Sequence, residues 1–439
     1  MSNVIVGLDI GTTKVCAIIG KRNEHGKVEV LGMGKAESLG VIRGEVRNIE
    51  KAVRSIVEAV EKAKLSLLKN NSNIKLEINS VHVGIAGQHI KSMQHRNSIS
   101  LGSEAVEVSR EDVRRLIEDT YKLALSPGDQ IIHVLPQEYA VDEWGEVLDP
   151  IGMSGVRLSS NFHIITGNID AIKNIGKSVN RAGLELADLI LEPLSSAEAV
   201  LTPEEMEAGV CLVDIGGGTT DVAIFKNNII RHTAVIPFGG NIITNDVEEG
   251  CNVLKNQAEA LKVKFGSALA DENKDNEIVS IPSFHGRPPK EVSIKNLAMV
   301  IQARVEEIFE SVLYEIKSSG LEKKLNAGIV ITGGGSQLKH LDKLVEYVTS
   351  LDARIGYANE HLGKTAVEEI NSPIYATGVG LVIKGLKAAE EKDAISNIKD
   401  EKERKNAEQE VSQKEGNILS RLLKQGQKWL YENDDLKDF

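Results

Sequence analysis

The stretch Leu8-Asp9-Ile10-Gly11-Thr12-Thr13-Lys14-Val15 returns 205 residues later as Val213-Asp214-Ile215-Gly216-Gly217-Gly218-Thr219-Thr220-Asp221-Val222. Each copy is an apolar run ending in Asp-Ile-Gly, then Thr-Thr, then a second apolar run. The second copy carries two extra glycines. The flanking runs are short and rich in β-branched residues, so each copy reads as strand, tight turn, strand. A repeat at this distance is a duplicated lobe, not a short-period solenoid. The chain has 439 residues, room for two lobes and further parts.

The chemistry of the two turns is consistent. Glycine lets backbone amides approach phosphate oxygens with no Cβ in the way. Gly11, Gly216, Gly217 and Gly218 supply that freedom, and Thr12, Thr13, Thr219 and Thr220 add hydroxyl donors. Asp9 and Asp214 stand at strand ends, placed to hold the waters of a bound Mg²⁺. Both turns lead into strands, which argues against a Walker loop or a dinucleotide fingerprint, where a helix must follow. A third turn, Gly333-Gly334-Gly335-Ser336, follows a strand and is expected to open a helix whose free amides face a phosphate or sugar. One glycine hairpin alone is often only a turn; two with a matching Asp, plus a third glycine turn, make a nucleotide cleft. Lys14 either contacts a phosphate or is solvated.

Other segments fill out the plan. Apolar residues at helical spacing predict a helix over residues 49–69. Ser109 reads as a helix N-cap with acidic residues behind it. Residues 84–161 read as an inserted α+β unit with two short strands, near 130–135 and 138–144. Helices are expected over 256–269 and 292–317, and a packed helical segment over 365–386. Residues 388–415 are highly charged and poor in large apolar side chains, the composition of a flexible linker. Beyond it, Ile418, Leu419, Leu422, Leu423, Trp429 and Leu430 fall on one helical face, flanked by Arg421, Lys424 and Lys428. Trp at an apolar edge with basic flanks suits an anionic membrane surface. Docking of this segment on the protein's own body is the alternative. An acidic end, residues 432–439, follows.

The net charge of −12 argues against nucleic acid as a partner. Apolar runs are strand-length, too short to span a bilayer. Cys16, Cys211 and Cys251 are odd in number and show no metal-ligand spacing, which suits a reducing compartment. The first residues lack a basic head and an unbroken apolar run, so they do not read as a signal peptide.

Two phosphate hairpins and a third glycine turn resemble the actin-like ATPase superfamily. Within it, Val83-Gly84-Ile85-Ala86-Gly87, Asp149-Pro150-Ile151-Gly152-Met153-Ser154-Gly155, Gly286-Arg287-Pro288 and the amphipathic segment resemble the FtsA family of bacterial cell-division proteins. The resemblance implies an α/β, actin-like two-lobed fold of duplicated ribonuclease-H-like domains, with an inserted α+β subdomain and a C-terminal amphipathic helix. It implies subdomain 1A in residues 1–83, 162–194 and 358–387, 1C in 84–161, 2A in 195–245 and 326–357, and 2B in 246–325. It also implies ATP and Mg²⁺ in the cleft, with Glu259 and Lys262 near ribose and adenine. Spacing alone makes that pair an exposed i,i+3 ion pair. Glu192, before Pro193, matches the Glu-Pro crossover of related ATPases and becomes the candidate for orienting the attacking water; the alternative is that it simply begins a helix. Pro193 biases it toward an extended backbone. Implied partners are the C-terminal peptide of the tubulin-like FtsZ, docking on 2B with Arg304 as a contact or a solvated bystander, further copies of the chain in a filament, membrane lipid and other division proteins. The implied place is the cytoplasmic face of the cell membrane at the division site, and the implied turnover is slow at most. A small-molecule kinase, a DnaK-like chaperone and an actin-like scaffold of a pilus machine are the rivals. The kinase would need a substrate-binding domain, and the chaperone a β-rich peptide-binding domain after the ATPase part.

Overall fold

The structure, a computed structural model, describes residues 4–70, 77–282, 288–358, 361–363 and 367–393. The amphipathic segment 416–431, with all nine residues proposed for the membrane, and the acidic end 432–439 lie outside these. So does the linker from residue 394 onward.

Residues up to Leu386 form one compact unit. It contains two five-stranded sheets of the same design. In the first, the order is Glu185–Leu191, Ser80–Ile85, Ile5–Ile10, Lys14–Arg22, Val28–Glu37. In the second, Ala353–Ile355, Ile329–Thr332, Val210–Ile215, Thr220–Lys226 and Ile229–Ile236 occupy the same places. Each sheet is a three-stranded antiparallel meander extended by two parallel strands on the side of the Asp-bearing strand. The short local connections make the meander; the parallel additions arrive through longer crossovers. The helix Ile49–Asn70 covers the first sheet and buries Ala52, Ile56, Ala59, Val60, Ala63 and Leu67 on one face. Helical residues 376–386 pack Val379, Leu381 and Val382 into the same core. Residues 387–393 are helical too, so the stretch expected as a linker from 388 begins as helix.

The insert is a four-stranded antiparallel sheet in the order Trp144–Val147, Asp129–Val141, Arg157–Asn168, Lys91–Ser100. The helix Arg110–Thr120 packs on it, and Ser109 caps that helix in a reciprocal capping box with Asp112. Two expectations are corrected here. The two short strands are one, Asp129–Val141, which runs through Pro136. Proline removes a ladder donor, and the register shifts opposite it, between Ser160 and Phe162. The expected border at residue 161 falls inside the strand Arg157–Asn168. The edge strand Lys91–Ser100 was not expected, because its exposed face and polar alternation give little apolar signal.

Polar bonds seat the insert on the edge strand of the second sheet. Gln137 Nε2 donates to Ile230 O at 2.6 Å, Ser92 Oγ donates to Thr233 O at 3.1 Å, and Arg231 pairs with Glu138 at 2.5 Å. The upper part of the second lobe carries the helices Gly240–Cys251, Lys255–Phe265 and Ile294–Ser318 around a core of Leu297, Ile301, Val305, Phe309 and Val312. Among the described residues no helix is long and apolar enough to cross a membrane.

Candidate nucleotide cleft

The two hairpins close in the same way. In the first, Ile10 pairs with Val15 and the Gly11 N–H donates to Lys14 O at 3.0 Å. In the second, Ile215 pairs with Thr220 and the Gly216 N–H donates to Thr219 O at 2.9 Å. The turns are therefore equal in length, Gly11-Thr12-Thr13-Lys14 and Gly216-Gly217-Gly218-Thr219. This corrects the alignment by letter: Gly217 and Gly218 are not insertions but replace Thr12 and Thr13. Thr219 then matches Lys14, Thr220 matches Val15, and Asp221 matches Cys16. Alternation along the strand puts Asp221 on the face of Asp214 and Thr220 on the other face. Thr220 is fully buried and donates to Phe238 O at 2.8 Å; it does not line the cleft.

The hairpin tips face one another. A Cβ on Gly217 would come within 2.3 Å of Thr13 Cγ2, and one on Gly218 within 2.7 Å of Thr12 Oγ1. Only glycine permits this approach. Thr12 Oγ1 accepts the Gly44 N–H at 3.0 Å. The third turn closes over Asp214: Gly333 has φ +81°, and a Cβ there would lie 2.3 Å from Asp214 Oδ1. The turn continues as a 3-10 turn, Gly334–Gln337, and the α-helix begins only at Leu341. Ser336 is buried, donates back to Gly333 O at 2.8 Å, and does not line the cleft.

Between these parts lies a cavity of about 370 Å³. Asp9, Gly11, Thr12, Thr13 and Lys14 form one side, and Asp214, Gly216, Gly217, Gly218 and Thr219 the other. Gly333, Gly334 and Gly335 complete the rim, and Glu192, Glu259 and Lys262 also line it. Lys262 and Glu259 are both an ion pair and a wall. Lys262 Nζ lies 2.8 Å from Glu259 Oε2, and it donates to Gly240 O at 2.9 Å and Thr244 Oγ1 at 2.8 Å. Ile243, Val263 and Leu338 give an apolar surface near this pair, suited to a flat base.

Four carboxyl groups, Asp9, Asp214, Asp221 and Glu192, line the cleft around Lys14. Lys14 Nζ binds Asp9 Oδ2 at 2.8 Å. Burial opposes its charge, but Asp9, Cys16 and Asp214 outweigh burial and raise its pKa. Asp214 is 7% exposed, and its Oδ2 accepts from Ser196 Oγ at 2.6 Å and Thr377 Oγ1 at 3.3 Å. Burial raises its pKa, the two hydroxyls pull it back, and Asp9 adds to the rise. Asp221 is 4% exposed; Thr219 Oγ1 donates to its Oδ2 at 3.1 Å, while its Oδ1 is buried without a protein partner. Burial and then Asp214 push its pKa up to about 7. Glu192 has a raised pKa too, through burial first and then Asp9, Asp221 and Asp214, with Lys14 opposing. It opens the helix Glu192–Val200 instead of standing extended before it. Gly84 leaves it room, since a Cβ there would lie 2.9 Å from Glu192 Cγ.

This donor set suits magnesium. Among the described residues no three His, Cys, Asp or Glu side chains form a metal cage. Mg²⁺ keeps most of its waters and takes one or two carboxylates plus phosphate oxygens, which Asp9 and Asp214 offer. The unpartnered Asp221 Oδ1 is a further oxygen beside them. Asp221 escaped the sequence reading because aligning the repeats by Thr-Thr placed it opposite Lys14, not opposite Cys16. Thr377 also lines the cleft, from the distant helix at 376–386, with no local motif around it. Arg304 lies outside the cleft, partly exposed and paired with acids. Its guanidinium forks onto Asp246, with Nε 2.5 Å from Oδ2 and Nη2 3.1 Å from Oδ1, and it also pairs with Glu307.

Comparison with known proteins adds to this geometry. The family model "Cell division protein FtsA" matches residues 211–380, and the model "SHS2 domain inserted in FTSA" matches residues 87–166. Cell division protein FtsA of Pseudomonas aeruginosa is 42% identical over 383 residues, 87% of this chain and 89% of that protein. FtsA of Escherichia coli K12 is 36% identical over 386 residues, 86% of this chain and 89% of that protein. Of solved structures, one in a PilM-PilN type IV pilus biogenesis complex has a TM-score of 0.62 at 14% identity. It covers 87% of this chain and 98% of that chain. At that identity the likeness speaks to fold alone.

Proposed function

The chain belongs to the FtsA family of cell division proteins and has an actin-like fold with the SHS2 insert, and on that premise we propose that it is an ATP-binding, membrane-tethered scaffold of the division machine. One observation carries the reading: two duplicated hairpins, a third glycine turn and the Glu259–Lys262 pair surround one cavity. Backbone amides and the Thr12 and Thr13 hydroxyls would cradle the phosphates, and Thr219 would join them only by releasing Asp221. Asp9 and Asp214 would hold Mg²⁺, which would supply compensation for the charge on the phosphates. Lys14, which binds Asp9 and lines the cleft, would be placed to pair with a phosphate oxygen. Glu192, whose pKa is raised by burial and then by the neighbouring carboxylates, would orient the attacking water. Turnover is slow at most, as the family resemblance implies, and nucleotide serves assembly of the chain into filaments.

Residues 416–431 tether the filament to the cytoplasmic face of the membrane at the division site. Six apolar side chains of one short helix bind reversibly, and many copies in a filament add avidity. The filament anchors the FtsZ ring through the C-terminal peptide of FtsZ, on the subdomain bearing Arg304, and helps recruit later division proteins. For that contact Arg304 would have to exchange Asp246 for a carboxylate of the peptide.

Liposome co-sedimentation with purified FtsZ, with and without ATP, tests the reading. The full chain should pellet with anionic liposomes, bring FtsZ down, and do so more with ATP. A chain ending at residue 415 should leave both proteins in the supernatant. Equal pelleting of the truncated chain would sink the tether. Pelleting without FtsZ would favour a scaffold of another membrane machine, and sugar-dependent release of ADP would favour a kinase.

A further inference from the structure

The insert touches the strand that leads into the cleft. Its strand Asp129–Val141 carries His133, opposite Ile165 in the insert sheet. His133 is half-buried, and its Nε2 accepts the backbone N–H of Leu191 at 3.0 Å. Leu191 ends the strand Glu185–Leu191 and is the N-cap of the helix Glu192–Val200. A leucine has no side-chain oxygen to cap a helix, and no side-chain cap bond is made here. The backbone at this junction is fixed by the parallel pairing of Leu191 with Ile85 and, from the other side, by the imidazole. The next side chain along is Glu192, which lines the cleft.

An imidazole can accept a hydrogen bond only while it is neutral. Burial lowers the His133 pKa to about 4, Asp188 opposes the shift and Lys384 assists it. At neutral pH the proton therefore sits on Nδ1 and Nε2 stays available to the Leu191 N–H.

We propose that His133 is a positioning residue for the cleft: it holds the Leu191 backbone so that Glu192 presents its carboxyl beside Asp9, Asp214 and Asp221. The insert is then a working part of the nucleotide site and not only a docking module. The inference rests on the reading of the cleft as an ATP site with Glu192 orienting the water.

Purified full-length protein carrying His133→Ala tests it. Misplacing a water-orienting group costs rate more than binding. Turnover at saturating ATP should fall about tenfold while the ATP Kd stays within about twofold. His133→Gln, whose amide oxygen reaches the Nε2 position, should restore most of the rate; His133→Asn, which reaches only the Nδ1 position, should not. These two keep the test alive if the alanine variant folds poorly. In a Glu192→Gln background, His133→Ala should add no further loss, because both changes remove one function. Amide hydrogen exchange at Leu191 should quicken in His133→Ala and not in His133→Gln. Normal ATP binding with unchanged turnover in His133→Ala overturns the inference alone, as does a full second loss on top of Glu192→Gln. Failure of the unaltered chain to bind ATP overturns the functional reading and takes the inference with it.

Discussion

The two hairpins share one backbone and differ in chemistry. Both close on a four-residue turn after an Asp-Ile strand end, and both sit in the centre of a five-stranded sheet of the same order. At matched places the first has Lys14 and Cys16, and the second has Thr219 and Asp221. The first lobe thus brings a cation that neutralises its own aspartate. The second brings an extra acid, a hydroxyl and two glycines whose missing side chains admit Thr12 and Thr13. Duplication supplied the scaffold twice; substitution at two facing positions made one half the counter-charge of the other. A site built this way is short of positive charge until a cation and its ligand enter.

Making the halves alike should break the arrangement. Cys16→Asp puts a second carboxyl beside Asp9 in a place 1% exposed. An uncompensated buried charge costs about 3–5 kcal/mol, and urea unfolding of the purified variant should show a loss of that size. Lys14→Met removes the counter-charge, so ATP affinity should drop about tenfold to a hundredfold, or roughly 1.4–2.8 kcal/mol, in a direct titration.

Asp221→Asn acts in the opposite direction. The Asp221 pKa rises from 3.8 to about 7 on folding. Between those values the folded chain holds a proton that the unfolded chain has released, so stability falls as pH rises through that window. The variant should flatten part of this slope and be about 1–2 kcal/mol more stable than the parent at pH 8 without nucleotide. An unchanged slope would remove Asp221 from the acidic group. Thr220→Val, which copies Val15 into the second hairpin, is the mildest. It should cost about 1 kcal/mol for the lost bond to Phe238 O and leave ATP affinity within about twofold. A large loss of affinity would restore Thr220 to the phosphate cradle.

The scaffold was legible because its signals are local. Asp-Ile-Gly after a β-branched run, helical spacing from Val53 to Leu67, and Ser109 before Arg110-Glu111-Asp112 each name an element from neighbouring residues. The glycine turns were legible for the same reason. What was not legible depended on register or on distant partners. Asp221 is set by which strand residue faces Asp214, and counting letters from the shared Thr-Thr gives the wrong answer. Thr220 and Ser336 were assigned by type, yet each turns its hydroxyl onto a nearby carbonyl. Arg304 finds Asp246 on another helix. His133 meets Leu191 only because the insert folds back on the first sheet. The strand expected as two pieces, near 130–135 and 138–144, runs through Pro136, and a register shift opposite the proline accommodates it.

The central claim is that both hairpins bind one nucleotide through Asp9 and Asp214. Calorimetric titration of ATP with Mg²⁺ into the parent and into Asp214→Ala tests it most directly. The account predicts one site per chain in the parent, dependent on Mg²⁺, and no measurable binding in Asp214→Ala. Equal affinity in the two proteins would contradict it.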